Sequence, residues 1–419
     1  MPELVLTEPR ARGLFILTAH PEGCRVLAGR QIERAQGAFA QPLAAARGKT
    51  ALVLGSTTFG YGSSTAIALR AAGFERVIGI GYETPPTFRK GKVAMASPGW
   101  FLTRALHEQG VVERSYLADA FADETRDRVL SDLCAEGVQI DLVVYSVAAP
   151  RRSHLGETWS SALKVVGDPL DVMGLDFKSG EHMPVRLESA SELEVEHTRR
   201  VMGGDDLDLW VNALLYAGRA APGMTVAALS YIGPDFEALR RIYWDGALGA
   251  AKKHIDATTR ALDARLAKHV AGRALSVMNP AVVTGASVAI PAMLKYIADY
   301  LGVVEEGTGR YDAPLDVGIH LCRALYAEGE PWKQQLDEAG RLRLDQNELS
   351  LELQAAVQAL WTDAKEGPAQ GATATGLARF RREYHQLFGW QVPGVDYTIA
   401  AEFAPDLGVG QGVFDLIEA

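Results

Sequence analysis

The chain has 419 residues, 48% hydrophobic and 22% charged, which is the composition of a globular protein and not of a disordered one. Its formal net charge of −10 argues against bulk attraction to nucleic acid or an anionic membrane, and no apolar run is long enough to span a bilayer. Cys24, Cys134 and Cys322 lie far apart with no C-x-x-C, which argues against a disulfide framework or a cysteine zinc site. They fit a reducing cytoplasm, and the first residues carry no basic segment followed by an apolar core, so no secretory signal is expected.

Residues 13–18 read as a short strand and 21–38 as a helix. A strand over 50–55, a helix from Ser63 and a strand to Tyr82 follow, then a Pro/Gly/Lys-rich loop over 84–99. Residues 100–109 look helical, and 111–117 form a third strand ending near Asp119. Asp123 is placed to cap a helix running to about Ala135. The nearly all-apolar run 140–146 is a fourth strand of the kind buried on both faces of a parallel sheet. Residues 151–187, with Pro169, Gly174, Gly180 and Pro184, read as irregular. Ser189-x-x-Glu192 and Ser191-x-x-Glu194 are competing capping boxes, and Gly203-Gly204 should break that helix before another over 207–217. Strands over 225–231 and 275–278 flank a long helical run to about His269; beyond Asp312 the pattern is helical and amphipathic, with no further strand.

Repeated βα units imply an α/β fold with a doubly wound parallel sheet, Rossmann-like, carrying an N-terminal extension, an irregular insertion near 150–190 and a C-terminal helical extension. The expected division is a catalytic domain over 1–312 and an extension over 313–419 packed on it. In such a sheet the ligand crevice lies outside the carboxyl ends of the strands, here Gly55, Glu83, Asp119 and Val147-Ala148, and all four are expected to line one cofactor.

The stretch 52–62 supports that expectation. An apolar run ends in Gly55, a small polar loop follows, and a helix-forming segment comes next. A helix N-terminus offers free N–H groups to a pyrophosphate, and glycine lets the backbone approach the ligand. The spacing is not G-x-G-x-x-G, and a tight structural turn also accounts for the glycines. Glu83 follows the apolar run 77–82, where a dinucleotide fold puts an acid on the adenosine ribose; a carboxylate there disfavours a 2′-phosphate and so favours NADH. A solvated glutamate at a strand end is the other reading.

Tyr243 and Lys252 are separated by eight residues. In a nicotinamide fold the ammonium can hold ribose hydroxyls and favour the tyrosinate, while the phenol donates to a substrate oxygen. Nine positions apart, the two side chains fall on opposite faces of one helix, so if both face the cofactor Tyr243 must precede the helix or sit in a distorted first turn. Gly246 and Gly249 allow a late start. The alternative is a core tyrosine and a solvated lysine pair, Lys252-Lys253. The histidines show no ligand spacing, and no metal is expected.

Several stretches together resemble the trans-2-enoyl-CoA reductases and the FabV class of enoyl-acyl-carrier-protein reductases, enlarged relatives of the short-chain dehydrogenases. They include Thr18-Ala19-His20-Pro21-Glu22-Gly23-Cys24, the Gly55 loop, Asp119-Ala120-Phe121, Ser230-Tyr231-Ile232-Gly233, Tyr243-Trp244 through Lys252, and Leu387-Phe388-Gly389. The resemblance implies that Tyr243 is the proton donor, Tyr231 contacts the acyl thioester and Lys252 binds NADH. It places Gly55, Ser56, Thr57, Thr58, Phe59, Gly60, Tyr61, Tyr82, Glu83, Asp119, Ala120, Val147, Ala148, Val282, Val283 and Thr284 on the cofactor. Phe59 is one residue more than the family's loop holds, and the link from Tyr231 to Tyr243 is two longer. The implied reaction is NADH-dependent reduction of a trans-2-enoyl thioester, on CoA or acyl carrier protein, in fatty acid biosynthesis. The implied protein is a cytoplasmic monomer with no nucleic-acid or membrane partner. Carbonyl reduction of the short-chain dehydrogenase type and non-catalytic NADH binding are the alternatives. Arg240-Arg241, just before the tyrosine, are candidates to grip an anionic carrier.

Overall fold

The computed structural model describes residues 3–288, 290, 292–403, 407 and 413–415. The chain forms two compact units. One comprises Met1–Ser146, Pro314–Pro331 and Arg382–Ala419; the other comprises Val147–Ala313 and Trp332–Arg381.

The first unit is built on parallel strands in the order Ile140–Tyr145, Thr50–Leu54, Arg76–Gly81, Arg114–Leu117 and Val413–Asp415. Thr50–Leu54 is buried along its whole length, as expected of a strand covered on both faces. Helices Tyr61–Ala72 and Asp123–Ala135 follow their strands in the expected alternation. Helix Pro21–Ala38 has the expected bounds, with His20 as its N-cap accepting from the Gly23 N–H. The helix expected to be capped by Asp123 is entered through Ala122 instead; Asp123 lies in the first turn and pairs with Arg126.

In the second unit, strands Leu342–Arg343, Arg273–Met278 and Ala220–Ser230 lie parallel in that order. Ser191 is the capping residue that forms the box: its hydroxyl accepts from the Glu194 N–H at 3.2 Å, and Glu194 accepts from the Ser191 N–H at 2.9 Å. The break at Gly203-Gly204 separates helices Glu192–Met202 and Asp205–Tyr216. The stretch expected to be irregular is not: Arg151–His154 pairs antiparallel with Glu157–Ser160, and Leu170–Leu175 with Glu181–Leu187. The residues read as breakers are parts of these hairpins. Gly180 turns at φ 79°, and Gly174 leaves room for Val185, whose Cγ2 would lie 2.6 Å from a Cβ there.

The C-terminal region also carries strands where helix alone was expected, at Leu342–Arg343, Gly367–Pro368, Ala401–Phe403 and Val413–Asp415. Each has two or three residues, too few for a period to show in the sequence. Residues 404–406, 408–412 and 416–419 of the expected extension lie outside the described residues. The division expected at residue 312 differs from the two units. Pro314–Tyr326 packs on Tyr61–Ala72 within the first unit, with Gly318 against Ser64 and Thr65, whereas 332–381 belongs to the second.

Helix Met293–Glu305 is buried along most of its length and is held by a glycine crossing and an internal ion pair. A Cβ on Gly376 would lie 1.8 Å from the Ala298 carbonyl oxygen, and one on Gly302 would lie 1.9 Å from that of Ala372. Lys295 Nζ pairs with Asp299 at 2.6 Å, and Thr373 donates to the same carboxylate at 2.6 Å. Because backbone atoms cannot move aside, Gly376→Ala should cost about 1–3 kcal/mol of stability. Thermal melts should show the loss for Gly376→Ala and none for Thr375→Ala, whose side chain is exposed on the helix Gly371–Leu387 that carries both.

Candidate active site

In the first unit the strand Thr50–Leu54 runs into Gly55 at φ 88°, and the chain turns through 56–60 into helix Tyr61–Ala72. A Cβ on Gly62 would lie 2.1 Å from the Gly55 carbonyl oxygen, so only glycine lets the first helical turn close on the loop. Gly60 caps this helix without a side chain. Ser63 Oγ donates to the Thr58 carbonyl at 2.6 Å. Ser56, Thr57 and Phe59 are buried. The neighbouring strand makes room for the first two: a Cβ on Gly79 would strike Ser56, and one on Gly81 would strike Thr57.

Glu83 is not a solvated strand end. It is buried, with Oε1 accepting from Thr57 Oγ1 at 3.1 Å and Oε2 accepting from Ser97 Oγ. Burial pushes its pKa up to about 7 against the pull of those two hydroxyls. Glu83 therefore braces the loop from inside. Tyr82 beside it is exposed, and Asp119 is exposed with Oδ1 accepting from the Phe121 N–H at 2.9 Å, while Ala120 is buried.

These residues fit a dinucleotide. The loop follows the carboxyl end of a buried parallel strand, and the helix N-terminus has no capping side chain. The hydroxyls of Ser64 and Thr65 at its first turn are buried without partners among the described residues.

The second unit holds the chemistry-bearing cluster. Tyr243 is the last residue of the short helix Glu237–Tyr243, and Lys252 lies in the separate helix Ala247–Val270. The break at 244–246 is what the spacing required. Gly249 makes it possible, since a Cβ there would lie 2.0 Å from the Trp244 carbonyl oxygen. Lys253 differs from Lys252: it lies over the Trp244 ring at 4.9 Å and reaches Asp245 at 3.5 Å.

Tyr231 meets Tyr243 edge to face, with ring centroids 5.4 Å apart. Tyr243 is 1% exposed, and its hydroxyl has no hydrogen-bond partner among the described residues. Tyr231 donates to Glu348 Oε1 at 3.1 Å. Burial pushes both phenols well above the ordinary tyrosine value, and the Glu348 charge pushes the same way. Tyr243 is thus held as a proton-bearing phenol; the expected pull of Lys252 toward tyrosinate is not among the influences on it. Burial lowers Lys252 to about 8 against the pull of Asp256 one turn on.

Val282 and Val283 are buried after the strand Arg273–Met278 and Thr284 is partly exposed, with Val283 N–H donating to Tyr311 at 3.0 Å. Val147 is half-buried and Ala148 exposed beyond strand Ile140–Tyr145. A cavity of about 650 Å³ opens within this unit, lined in part by Ile232, Gly233, Phe236, Arg240, Trp244 and Gln354. Arg240 there is engaged by Asp245 at 3.2 Å, and Arg241 donates to the Asp168 carbonyl. Among the described residues no group of three His, Cys, Asp or Glu side chains is placed to hold a metal. No described helix is long and apolar enough to cross a membrane.

Sequence reasoning missed Glu348 and Tyr296. Glu348 lies in the polar run Asp345-Gln346-Asn347-Glu348, which reads as a surface loop; its partners are more than fifty residues away, so no local pattern carries the signal.

The profile described as the trans-2-enoyl-CoA reductase catalytic region matches residues 94–323, and the NAD(P)H binding domain of the same reductases matches 6–88. A third, described as an enoyl reductase FAD binding domain, matches 336–400. The chain belongs to the trans-2-enoyl-CoA reductase family. An enoyl-[acyl-carrier-protein] reductase [NADH] of Coxiella burnetii is 34% identical over 95% of this chain and 96% of its own length. One of Pseudomonas paraeruginosa is 36% identical over 94% and 96%. The trans-2-enoyl-CoA reductase of Clostridium acetobutulicum in complex with NADH superposes with a TM-score of 0.83 at 30% identity, covering 94% of this chain and 97% of that one. That of Treponema denticola in complex with NAD gives 0.81 at 29%, covering 99% and 100%.

A buried hydroxyl without a partner costs about 1–3 kcal/mol. Tyr243→Phe removes that hydroxyl and nothing else. Its urea denaturation midpoint should equal or exceed the wild-type value.

Proposed function

We propose that this chain reduces the carbon–carbon double bond of trans-2-enoyl thioesters with NADH as cofactor, the acyl group being carried on CoA or acyl carrier protein. The single observation that carries the reading is the buried Tyr243 hydroxyl without a partner, beside Tyr231, in a chain of this family.

NADH, when bound, would supply the hydride that reduces Cβ of the enoyl group. The loop Gly55-Ser56-Thr57-Thr58-Phe59-Gly60-Tyr61 and the helix behind it would hold the pyrophosphate. Tyr82 and Asp119-Ala120 would face the adenosine ribose, and Lys252, Val147-Ala148 and Val282-Val283-Thr284 the rest of the cofactor. Glu83, buried with both carboxylate oxygens engaged, would serve the cofactor through the loop it braces and not by touching the ribose. Tyr243 donates a hydrogen bond to the thioester oxygen, where negative charge grows as Cβ is reduced. A donor already desolvated and already free of other partners needs no rearrangement when that charge appears, so it acts mainly on the transition state. Tyr231 is the second donor, and protonation at Cα completes the reduction. A cytoplasmic monomer is the proposed state; Cys24 and Cys322 are buried free thiols and Cys134 an exposed one, in keeping with a reducing compartment.

NADH oxidation followed with crotonyl-CoA, with a β-ketoacyl thioester and with no substrate tests the reading. Turnover with crotonyl-CoA alone is expected; turnover only with the ketoacyl thioester would assign carbonyl reduction instead. Tyr243→Phe should bind NADH normally and lose roughly a hundredfold or more in kcat.

Lys252→Ala should weaken NADH binding by about ten- to a hundredfold, the scale of a lost hydrogen bond from a charged donor. Fluorescence titration with NADH measures it, and an unchanged Kd would remove Lys252 from the cofactor.

A further inference from the structure

Glu348 is fully buried at the centre of the tyrosine cluster. Its Oε2 accepts from the Ala281 N–H at 2.8 Å. Its Oε1 meets two phenols, Tyr296 at 2.6 Å and Tyr231 at 3.1 Å. The Ala281 amide can only donate, so Oε2 must remain an acceptor. Gln354 Nε2 donates to the Tyr296 oxygen at 3.0 Å, which leaves Tyr296 donating its one proton to Oε1. The only bond in this set free to reverse is the one between Oε1 and Tyr231.

A phenol has one proton. With Glu348 ionised, Tyr231 gives that proton to Oε1 and has none for a ligand. With Oε1 protonated, Glu348 donates to the Tyr231 oxygen, and the Tyr231 proton is free to turn elsewhere. We propose that Glu348 is a positioning residue for enoyl reduction: protonated on Oε1 it aims the Tyr231 hydroxyl at the thioester oxygen, and ionised it withdraws that donor. The proton stays on Glu348 through the reaction and exchanges with solvent between turnovers. The proposal rests on the reading of Tyr231 and Tyr243 as the paired donors.

The surroundings favour a carboxyl that titrates near neutrality. Burial drives Glu348 up to about 7 against the hydrogen bonds from Tyr296, Ala281 and Tyr231, and Asp345 in its own loop raises it further. The other titratable groups facing it are Tyr243 on the short helix and Tyr296 and Tyr300 on helix Met293–Glu305, all phenols held far above neutrality. Asp345 is bonded to the Arg343 guanidinium at 2.7 and 2.8 Å.

The test is the pH profile of kcat/KM with NADH and crotonyl-CoA from about pH 6 to about pH 9, for the full chain and for Glu348→Gln and Tyr231→Phe. The wild type should lose roughly tenfold or more as pH rises through about 7, a fraction of what a lost oxyanion donor costs. Glu348→Gln keeps a neutral side chain with a donor and should lose that limb, retaining any limb from Lys252. Tyr231→Phe should be slow and also lack it, and decides the matter should Glu348→Gln fail to fold. A limb unchanged in either variant overturns the proposal while leaving enoyl reduction standing. A wild type that does not oxidise NADH with crotonyl-CoA overturns both.

Discussion

A carboxyl group removed from water must be met by donors or give up its charge, and Glu348 obliges three parts of the second unit to supply them. The Ala281 amide comes from the loop after strand Arg273–Met278, Tyr296 from a buried helix, and Tyr231 from the end of strand Ala220–Ser230. Tyr231 so held meets the Tyr243 ring edge on. Burial raises the phenols around it, and the Glu348 charge, when present, pushes the same way, so the gathered tyrosines stay protonated in either state of the carboxyl. A site meant to donate hydrogen bonds needs that state.

A second constraint is the interruption between Tyr243 and Lys252. A continuous helix would put the two on opposite faces. The chain instead ends one helix at Tyr243 and starts another at Ala247, with Gly249 closing against the Trp244 carbonyl. Trp244 serves as packing for Lys253 at 4.9 Å and Arg341 at 5.3 Å, which keeps neighbouring cations occupied and distinct from Lys252.

In the first unit the Gly55 loop turns Ser56 and Thr57 inward and leaves Thr58 exposed. Ser56 and Thr57 fill space that Gly79 and Gly81 leave open in the adjacent strand, and Glu83 takes the Thr57 hydroxyl. Inward-facing side chains brace the loop while its backbone meets the helix N-terminus, the arrangement an anion-binding turn requires. Phe59 in this loop is itself buried and so becomes part of that bracing.

The parallel α/β frame was legible in the sequence because its strands are unbroken apolar runs and its helices begin at recognisable caps: His20-Pro21, Ser191-x-x-Glu194 and Gly203-Gly204 each mark an observed boundary. The separation of Tyr243 from the Lys252 helix was legible on the condition that both face one ligand, since on one continuous helix they fall on opposite faces. The hairpins of 151–187 and the short C-terminal strands were not legible; two- to seven-residue strands take their order from pairing partners and not from their own pattern. Glu83 and Glu348 show the limit most plainly. In sequence Glu83 reads as a ribose-facing acid, with a solvated strand end as the alternative, and Glu348 sits in a polar run, yet both are buried and pushed up to about 7. Burial is a property of what the rest of the chain brings against a residue, here Ser97 and Gly99 for Glu83 and Tyr231, Ala281 and Tyr296 for Glu348, and only the tertiary structure decides it.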